Sequence, residues 1–321
     1  MKLLQNGCPK SGNYWLYTIL SAVLDGAKVP RKSVIQNHPI NAVAKTWTLS
    51  YPEQCELDVL DIESKRQFMR IGLFFKEPIP DLDAYIDGNR LVWTHARFIQ
   101  DSAEIYNKFD KVVYIIRDPR DVAISMAHFS FTPYRLNAHH NPFKNAQEYL
   151  EQNLIKHVTG WCQHVGSHLL SENRETMHII FYENLKENFA EELDRLVDFL
   201  ELPLTAEDKA EVARLSSVDQ MRKKSKGHVR QGSSGGWRKN LSPKQIKRCN
   251  LVAGPMLKTL GYATSADQQS VLKMPEVLPK KNIRSSMKRS LIARGIWMIR
   301  SNRKNLSRPD NADFGSSVKK G

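Results

Sequence analysis

The chain lacks the features that mark secreted, fibrous and membrane-spanning proteins. Its 321 residues include four cysteines, scattered without the spacing of metal ligands or of a disulfide framework. Glycine and proline are not enriched, which excludes collagen-like and low-complexity chains. There is no run of 18 apolar residues, and the first residues turn polar too soon for a secretory signal. A cytoplasmic protein without a bound metal is expected.

The composition is that of a soluble globular protein, with 41% hydrophobic and 26% charged residues. The net charge of +14 is unevenly placed, since residues 273–321 carry +10 and residues 1–272 carry +4. The basicity therefore belongs mainly to the C-terminal part, and no nucleic-acid partner is predicted for the main domain. We predict a domain over residues 1–264 and a basic tail over residues 265–321.

The tail has two interpretations. Apolar residues such as Ile283, Leu291 and Trp297 alternate with arginine and lysine, which is typical of a basic amphipathic helix lying on an anionic membrane. The alternative is a solubilising tail whose apolar residues pack on the main domain. We favour packing, because a tryptophan and several isoleucines would otherwise be exposed.

Strands alternate with helices along the chain. Apolar runs predict strands at the N-terminus, at 70–75, 91–93, 112–116 and 178–182. Helical periodicity predicts helices from residue 15 and over about 119–129, 145–172, 184–200, 205–215 and 243–260. Residues 26–66 show no clear period and are expected to form loops and short pieces. The pattern predicts an α/β fold with a central parallel sheet flanked by helices.

The first candidate site is the loop after the N-terminal strand. Gly7 and Gly12 have the separation of the two glycines of a nucleotide-binding P-loop, and Lys10 lies between them. The Lys-Ser/Thr pair that should follow is absent, since Asn13 and Tyr14 stand there. The loop is therefore either an anion site or a structural turn with an exposed lysine.

The second candidate site follows the β-branched run 112–116. Arg117 lies at the carboxyl end of this predicted buried strand, where α/β sheets bind ligands. Ser125 lies two turns into the helix that Pro119 begins, so the two side chains could hold a phosphate together. The alternative is a structural pairing of Arg117 with Asp118 or Asp121. A third, glycine-rich and basic segment spans residues 229–240, and it is either a phosphate loop or a surface loop.

Taken in order, these segments resemble the sulfotransferases that use 3′-phosphoadenosine-5′-phosphosulfate (PAPS). Residues 9–15 are similar to the family's Pro-Lys-Ser-Gly-Thr-Thr-Trp motif, and Arg117 with Ser125 to its second motif. Arg230, Gln231 and Gly232 begin a segment similar to the third motif. The resemblance covers about residues 3–262. It implies a P-loop-like fold in a single domain, and sulfuryl transfer from PAPS to a hydroxyl or amine, giving 3′,5′-ADP (PAP).

The resemblance also implies roles for residues. His95, in Trp93-Thr94-His95, stands where the family has its catalytic base, and Lys10 would stabilise the leaving group. The implied PAPS-binding residues are Lys10, Ser11, Gly12, Asn13, Tyr14, Trp15, Arg117, Ser125, Tyr182, Ser216, Val218, Arg230, Gln231 and Gly232. Several positions depart from the family: Trp93 replaces a lysine, Gln231 a lysine, Gly236 an aspartate and Val218 an aromatic residue.

The acceptor is not identified by the sequence. Segments 26–66, 72–90 and 128–145 are expected to shape its pocket, and their aromatic residues suit a small-molecule, lipid or glycan acceptor. Two other functions stay open at this point. A P-loop kinase or NTPase would need the missing Lys-Ser/Thr pair, and a non-catalytic, membrane-associated PAPS-binding protein would not need Lys10 and His95.

Overall fold

The computed structural model describes residues 1–224 and 234–306, with all side chains there except those of residues 218, 224 and 297–306. Within this part of the chain, one seven-stranded sheet has the order β4-β3-β2-β5-β1-β6-β7. Its strands are β1 (Leu3–Gly7), β2 (Val59–Ile62), β3 (Gln67–Ile71), β4 (Phe75–Pro78), β5 (Leu91–Thr94), β6 (Lys111–Ile116) and β7 (Met177–Phe181). The pairs β2–β5, β5–β1, β1–β6 and β6–β7 are parallel, whereas β3 is antiparallel to both β2 and β4.

Helices cover both faces of the sheet. In chain order they are α1 (Asn13–Gly26), α2 (Val34–Asn37), α3 (Ile40–Ala44), α4 (Leu82–Asp87), α5 (Ser102–Tyr106), α6 (Pro119–Phe129), α7 (Pro133–Ala138), α8 (Ala146–Leu169), α9 (Tyr182–Glu187), α10 (Phe189–Leu200), α11 (Ala206–Leu215), α12 (Val218–Lys224), α13 (Trp237–Asn240), α14 (Pro243–Thr259) and α15 (Lys280–Leu306). Short 3₁₀ helices span Pro52–Glu56 and Glu172–Thr176.

Strand β6 is apolar after its first residue because both of its faces are covered by helices. Its side chains alternate between two apolar layers, because successive residues of a strand point to opposite faces. Tyr114 is fully buried in the layer that contains Trp161 of α8. Val113 and Ile115 are fully buried in the opposite layer, which contains Leu20 of α1. The β-branched run predicted this double burial, and the prediction is confirmed.

The largest departure from prediction lies at the antiparallel edge. The strand predicted over 70–75 is wrong, because β3 ends at Ile71 and β4 begins at Phe75. Gly72 turns the chain between them with a φ of 54°, a left-handed conformation that glycine adopts readily. The region 26–66, expected as loops and short pieces, also contains β2. The helix expected over 184–200 is broken at Asn188.

Helix α15, which lies within the predicted basic tail, packs against α8 and α14. Pro255 interrupts the hydrogen-bond ladder of α14, and α15 supplies partners next to the interruption. The Ser286 hydroxyl accepts from the Met256 N–H at 3.0 Å, and Arg289 Nη1 donates to the Leu251 carbonyl at 3.4 Å. These contacts make α15 part of the folded structure.

The two halves of α15 differ in exposure. Ile283 is fully buried, in agreement with the favoured interpretation of the tail, whereas Leu291, Ile292 and Ile296 are about half exposed. The Trp297 side chain lies outside the described residues. None of the described helices is long and apolar enough to cross a membrane.

Candidate functional site

The three parallel strands β5, β1 and β6 end at one edge of the sheet, beside a cavity of about 440 Å³. His95 follows β5, the loop at residues 8–12 follows β1, and Arg117 follows β6. Because neighbouring parallel strands end together, segments more than 100 residues apart in the chain line the same cavity.

The loop after β1 is held by its own side chains. Asn13 Nδ2 donates to the Cys8 carbonyl at 2.9 Å, and Gln5 Nε2 donates to the Asn13 carbonyl at 2.6 Å. Lys10 and Gly12 take left-handed conformations, with φ values of 70° and 98°. Asn13, which stands where the resemblance expects threonine, therefore helps to keep the loop in shape.

Lys10 is prepared for an anion. Burial, and secondly the positive charge of Arg117, lower the pKa of the Lys10 ammonium to about 8. Its Nζ lies 4.3 Å from the centre of the Phe129 ring. A bound anion would offset both the desolvation and the like-charge repulsion, so the site favours a negatively charged ligand.

His95 is held in one tautomer. Its Nδ1 lies 2.7 Å from the Gly7 carbonyl, which can only accept, so Nδ1 carries the proton. The Nε2 atom therefore has its lone pair exposed to donors, and the Trp93 indole Nε1 donates to it at 3.2 Å. Burial lowers the pKa of His95 to about 4, with a smaller contribution from the charges of Arg70 and Lys10. His95 is thus neutral near pH 7 and able to accept a proton at Nε2.

Arg117 lines the cavity beside the loop. Its guanidinium lies 4.2 Å from the centre of the Tyr182 ring, and Nη1 donates to the Lys10 carbonyl at 3.2 Å. In the structural alternative Arg117 pairs with Asp118 or Asp121, and of these two acids Asp118 binds Arg120 with both oxygens. Oδ1 accepts from Arg120 Nε at 2.8 Å, and Oδ2 from Nη2 at 2.6 Å.

Asp121 joins the second segment to the third. Its carboxylate accepts from the Gly235 N–H at 2.7 Å and from the Trp237 N–H at 2.8 Å. The Trp237 ring lies between two guanidinium groups, with Arg120 at 3.5 Å and Arg238 at 4.5 Å from its centre. The residues proposed from the sequence in this segment, Arg230, Gln231 and Gly232, lie outside the described residues.

Comparison with known proteins decides the family. The sequence pattern of the family described as "Sulfotransferase domain" matches residues 2–261 of this chain. The chain belongs to the sulfotransferase family. The prediction of a PAPS-dependent sulfotransferase is thereby confirmed at the level of the family.

Curated relatives of this sulfotransferase are distant. "Cytosolic sulfotransferase 7" of Arabidopsis thaliana is 26% identical over 63% of this chain and 56% of its own length. "Amine sulfotransferase" of Oryctolagus cuniculus is 23% identical over 75% of each protein. The alignment therefore spans little more than half of the first relative and three quarters of the second.

Solved structures agree on the fold. Mouse sulfotransferase SULT7A1, complexed with PAP, is 22% identical with a TM-score of 0.51, covering 78% of this chain and 81% of that chain. Retinol dehydratase, in a complex with retinol and PAP, is 18% identical with a TM-score of 0.52, covering 85% and 83%. The prediction of a P-loop-like α/β fold with a central parallel sheet is confirmed, with antiparallel β3 and β4 at one edge as the departure.

Most of the predicted site residues of this sulfotransferase meet at the cavity. Those that line it are Lys10, Gly12, Asn13, Tyr14, Trp15, His95, Arg117, Ser125 and Tyr182. Two others do not line it. Ser11 is fully buried with no hydrogen-bond partner for its hydroxyl among the described residues, and the Ser216 hydroxyl donates to the Val212 carbonyl at 2.7 Å.

The side of the cavity near Trp15 is aromatic. Trp15 Nε1 donates to the Ser216 carbonyl at 2.8 Å, which fixes the indole. Its ring packs edge-on against Tyr182 at 5.5 Å and stacks with Phe189 at 6.2 Å. Ser216 therefore contributes its backbone rather than its hydroxyl. Val218 begins α12, and its side chain is outside the described part.

The opposite side of the cavity comes from the antiparallel edge and from α6 and α7. Among the expected acceptor-shaping residues, Tyr51, Phe129 and Tyr134 line it. Sequence reasoning missed two polar residues there, Gln54 and Arg70. Neither belongs to a recognisable motif, so no sequence signal was available. Within the described residues, no group of three or more metal-binding side chains is present.

Proposed function

We propose that this sulfotransferase transfers the sulfuryl group of PAPS to a hydroxyl or amine of a small-molecule acceptor, with His95 as the base and Lys10 as the leaving-group stabiliser. The arrangement of the cavity carries the proposal. The Lys10 loop and the unprotonated Nε2 of His95 line one cavity. His95 is also hydrogen-bonded through Nδ1 to the carbonyl of Gly7, the last residue of the strand that precedes the loop.

The chemistry requires one proton acceptor and one stabilised leaving group. A new bond forms between the acceptor oxygen or nitrogen and sulfur, while the bond from sulfur to the bridging oxygen of PAP breaks. The acceptor proton moves to His95 Nε2, where the acceptor replaces the Trp93 indole as hydrogen-bond partner. The Lys10 ammonium and the loop N–H groups stabilise the negative charge that develops on PAP.

The residues of the cavity fit PAPS as a co-substrate. Lys10, with the loop backbone from Ser11 to Asn13, is proposed to hold the 5′-phosphosulfate. Arg117 and Ser125 are proposed to hold the 3′-phosphate together with the segment that begins at Arg230. The adenine of PAPS is proposed to be surrounded by Tyr14, Trp15, Tyr182, Ser216 and Val218. Two positive charges set close together at Lys10 and Arg117 support this assignment, because a bound polyanion would offset the repulsion between them.

A binding experiment tests the co-substrate. PAP is titrated into the protein by calorimetry, with ATP and Mg²⁺ as the comparison that an NTPase would favour. Arg117→Ala is expected to weaken PAP binding by about 2–3 kcal/mol, the contribution of a charge-assisted contact. Arg31→Ala, which removes an exposed arginine paired with Asp25, is the matched control. If ATP bound more tightly than PAP, the proposed co-substrate would be wrong.

A transfer screen tests the reaction. PAPS-dependent sulfate transfer is measured across phenols, alcohols, amines, lipids and glycans, with His95→Ala as the inactive control. Transfer to at least one class, lost in the variant, supports catalysis by His95. Bound PAPS without transfer to any class would favour a non-catalytic binding protein.

We propose a cytoplasmic location, with peripheral contact between α15 and an anionic membrane. The exposed Leu291, Ile292 and Ile296 lie on a helix whose residues 280–306 include nine lysines and arginines and no acid. Co-sedimentation with phosphatidylserine vesicles, but not with phosphatidylcholine vesicles, is expected. Ile292→Glu should abolish it, and equal sedimentation of both proteins would contradict the proposal.

A further inference from the structure

A further positive charge lies in the cavity wall, away from the proposed PAPS ligands. Arg70 lies on β3 and lines the same cavity as His95. Its side chain is 28% exposed, and its Nε atom is buried. A cation in the wall of an acceptor pocket carries a cost of desolvation that a bound anion can offset.

Strand register fixes where Arg70 lies. Val59 of β2 pairs with Arg70 on one side and with Trp93 of β5 on the other. All three residues line the cavity, so they share one face of the sheet. The Cα atoms of Arg70 and Trp93 are thus two strand spacings apart, roughly 10 Å. His95 follows two residues after Trp93, beyond the end of β5.

Arg70 has an ion-pair partner on β2, but part of its hydrogen-bonding capacity is unused. Nη2 lies 3.3 Å from Asp61 Oδ1, and the same carboxylate is 3.7 Å from Lys76 Nζ. The Nε–H is buried and has no partner among the described residues. Asp61 does not line the cavity. Among the cavity-lining residues of the described chain, Asp121 is the one acid, and its carboxylate is engaged by Gly235 and Trp237.

The field of Arg70 reaches the groups that face the acceptor. Burial lowers the pKa of His95 and the charge of Arg70 lowers it further, whereas burial raises the pKa of the Tyr134 hydroxyl and Arg70 partly opposes that rise; both side chains line the cavity. The same cavity is also lined by Leu57 and Tyr51, which are buried in one apolar cluster with Trp93. The cavity therefore combines a base, apolar and aromatic wall residues, and the Arg70 cation on β3.

We propose that the acceptor carries an anionic group, such as a carboxylate, separate from the hydroxyl or amine that is sulfated, and that Arg70 binds this group. The inference rests on the proposed function, because the position of the nucleophile is taken from His95. The guanidinium provides charge and parallel donors, which suits an oxyanion better than a neutral polar group. The apolar and aromatic wall suits an aromatic ring or a short hydrocarbon spacer.

The test uses two phenols that differ only in charge. These are 3-(4-hydroxyphenyl)propanoate and its uncharged amide, each assayed for PAPS-dependent transfer and each titrated into the complex with PAP. A preference for the carboxylate of roughly 10- to 100-fold is expected in both measurements, the size of a charge-assisted contact. Arg70→Gln should bring the ratio close to one, and Arg70→Lys should retain part of it.

Lys76→Gln is the matched control, because it removes a cation from the same Asp61 cluster without changing the cavity wall. It should keep the carboxylate preference. Equal binding of the two phenols by the parent protein, or a preference that survives Arg70→Gln, would overturn the inference while leaving sulfation of the amide to support the proposed function. Preferential carboxylate binding without transfer would uphold Arg70 and count against the assigned catalytic roles.

Discussion

Replacement of Gly12 by alanine probes the proposed cofactor loop where it contacts Tyr182. A Cβ atom at this position would lie 2.5 Å from Tyr182 Cδ2 and 2.9 Å from Cε2, which is too close for any contact. Tyr182 cannot move without cost, because Arg117 covers its ring at 4.2 Å and Trp15 packs on it edge-on. The substitution therefore disturbs both proposed phosphate-binding elements at once.

The magnitude has two parts. A φ of 98° is outside the conformations that alanine adopts readily, at a cost of about 1–2 kcal/mol. Overpacking against a buried ring adds about 1–3 kcal/mol. We expect Gly12→Ala to lower the free energy of unfolding by about 2–5 kcal/mol, and to weaken PAP binding at least tenfold because the displaced Tyr182 pushes on Arg117.

The assay is urea denaturation combined with calorimetric titration of PAP. Gly160→Ala is the control, since Gly160 lies within α8 and a Cβ there would meet no atom within 4 Å. An alanine inside a helix is favoured over glycine by about 0.5–1 kcal/mol, so the control should be slightly more stable than the parent. A Gly12→Ala protein with parental stability and parental PAP affinity would refute the reasoning.

Three further substitutions test separate contacts. His95→Ala should lower single-turnover rates by roughly 10²- to 10⁴-fold with PAP affinity nearly unchanged, and full turnover would contradict its role as base. Lys10→Ala should lower both the single-turnover rate and the PAP affinity. The pKa of the Lys10 ammonium is about 8, so PAP binding by the parent protein should weaken as the pH rises through 8. Titrations across this pH range should show no such weakening in the variant. Asp121→Ala should lower the free energy of unfolding by about 2–4 kcal/mol in urea, because the Gly235 and Trp237 N–H groups lose their acceptor, and parental stability would contradict that.

The sequence was sufficient where local pattern and fold coincide. The run 112–116 and Pro119 predicted β6 and the start of α6 because a buried parallel strand and a proline-initiated helix each have a local signature. This placed Arg117 at the cavity. The resemblance to the family added His95, whose position could not be derived from periodicity alone.

The antiparallel edge shows why prediction failed elsewhere. Leu73 and Phe74 continue the apolar run of β3 in sequence, yet each is more than a third exposed and belongs to a turn. The position of the turn is set by the pairing register between β3 and β4. This register depends on both strands together, so it cannot be predicted from the apolar pattern of one strand.

Contacts between residues far apart in the chain could not be predicted from the sequence pattern either. Asp121 and Trp237 are 116 residues apart, and the bond between them depends on where two helices begin. Arg70 reaches the cavity only because β3 follows β2 across the sheet. These residues belong to no motif, so their placement had to come from the three-dimensional fold.

The order of strands also has a consequence for changing this protein by design. The proposed donor-binding loop and Arg117 follow β1 and β6, whereas Val59 and Arg70 come from β2 and β3 on the other side of β5. If Arg70 binds the acceptor as proposed, a library confined to the β2–β3 hairpin should vary the choice of acceptor while the affinity for the donor stays constant. Such a division lets acceptor preference diverge, in the laboratory or by descent, without rebuilding the catalytic apparatus.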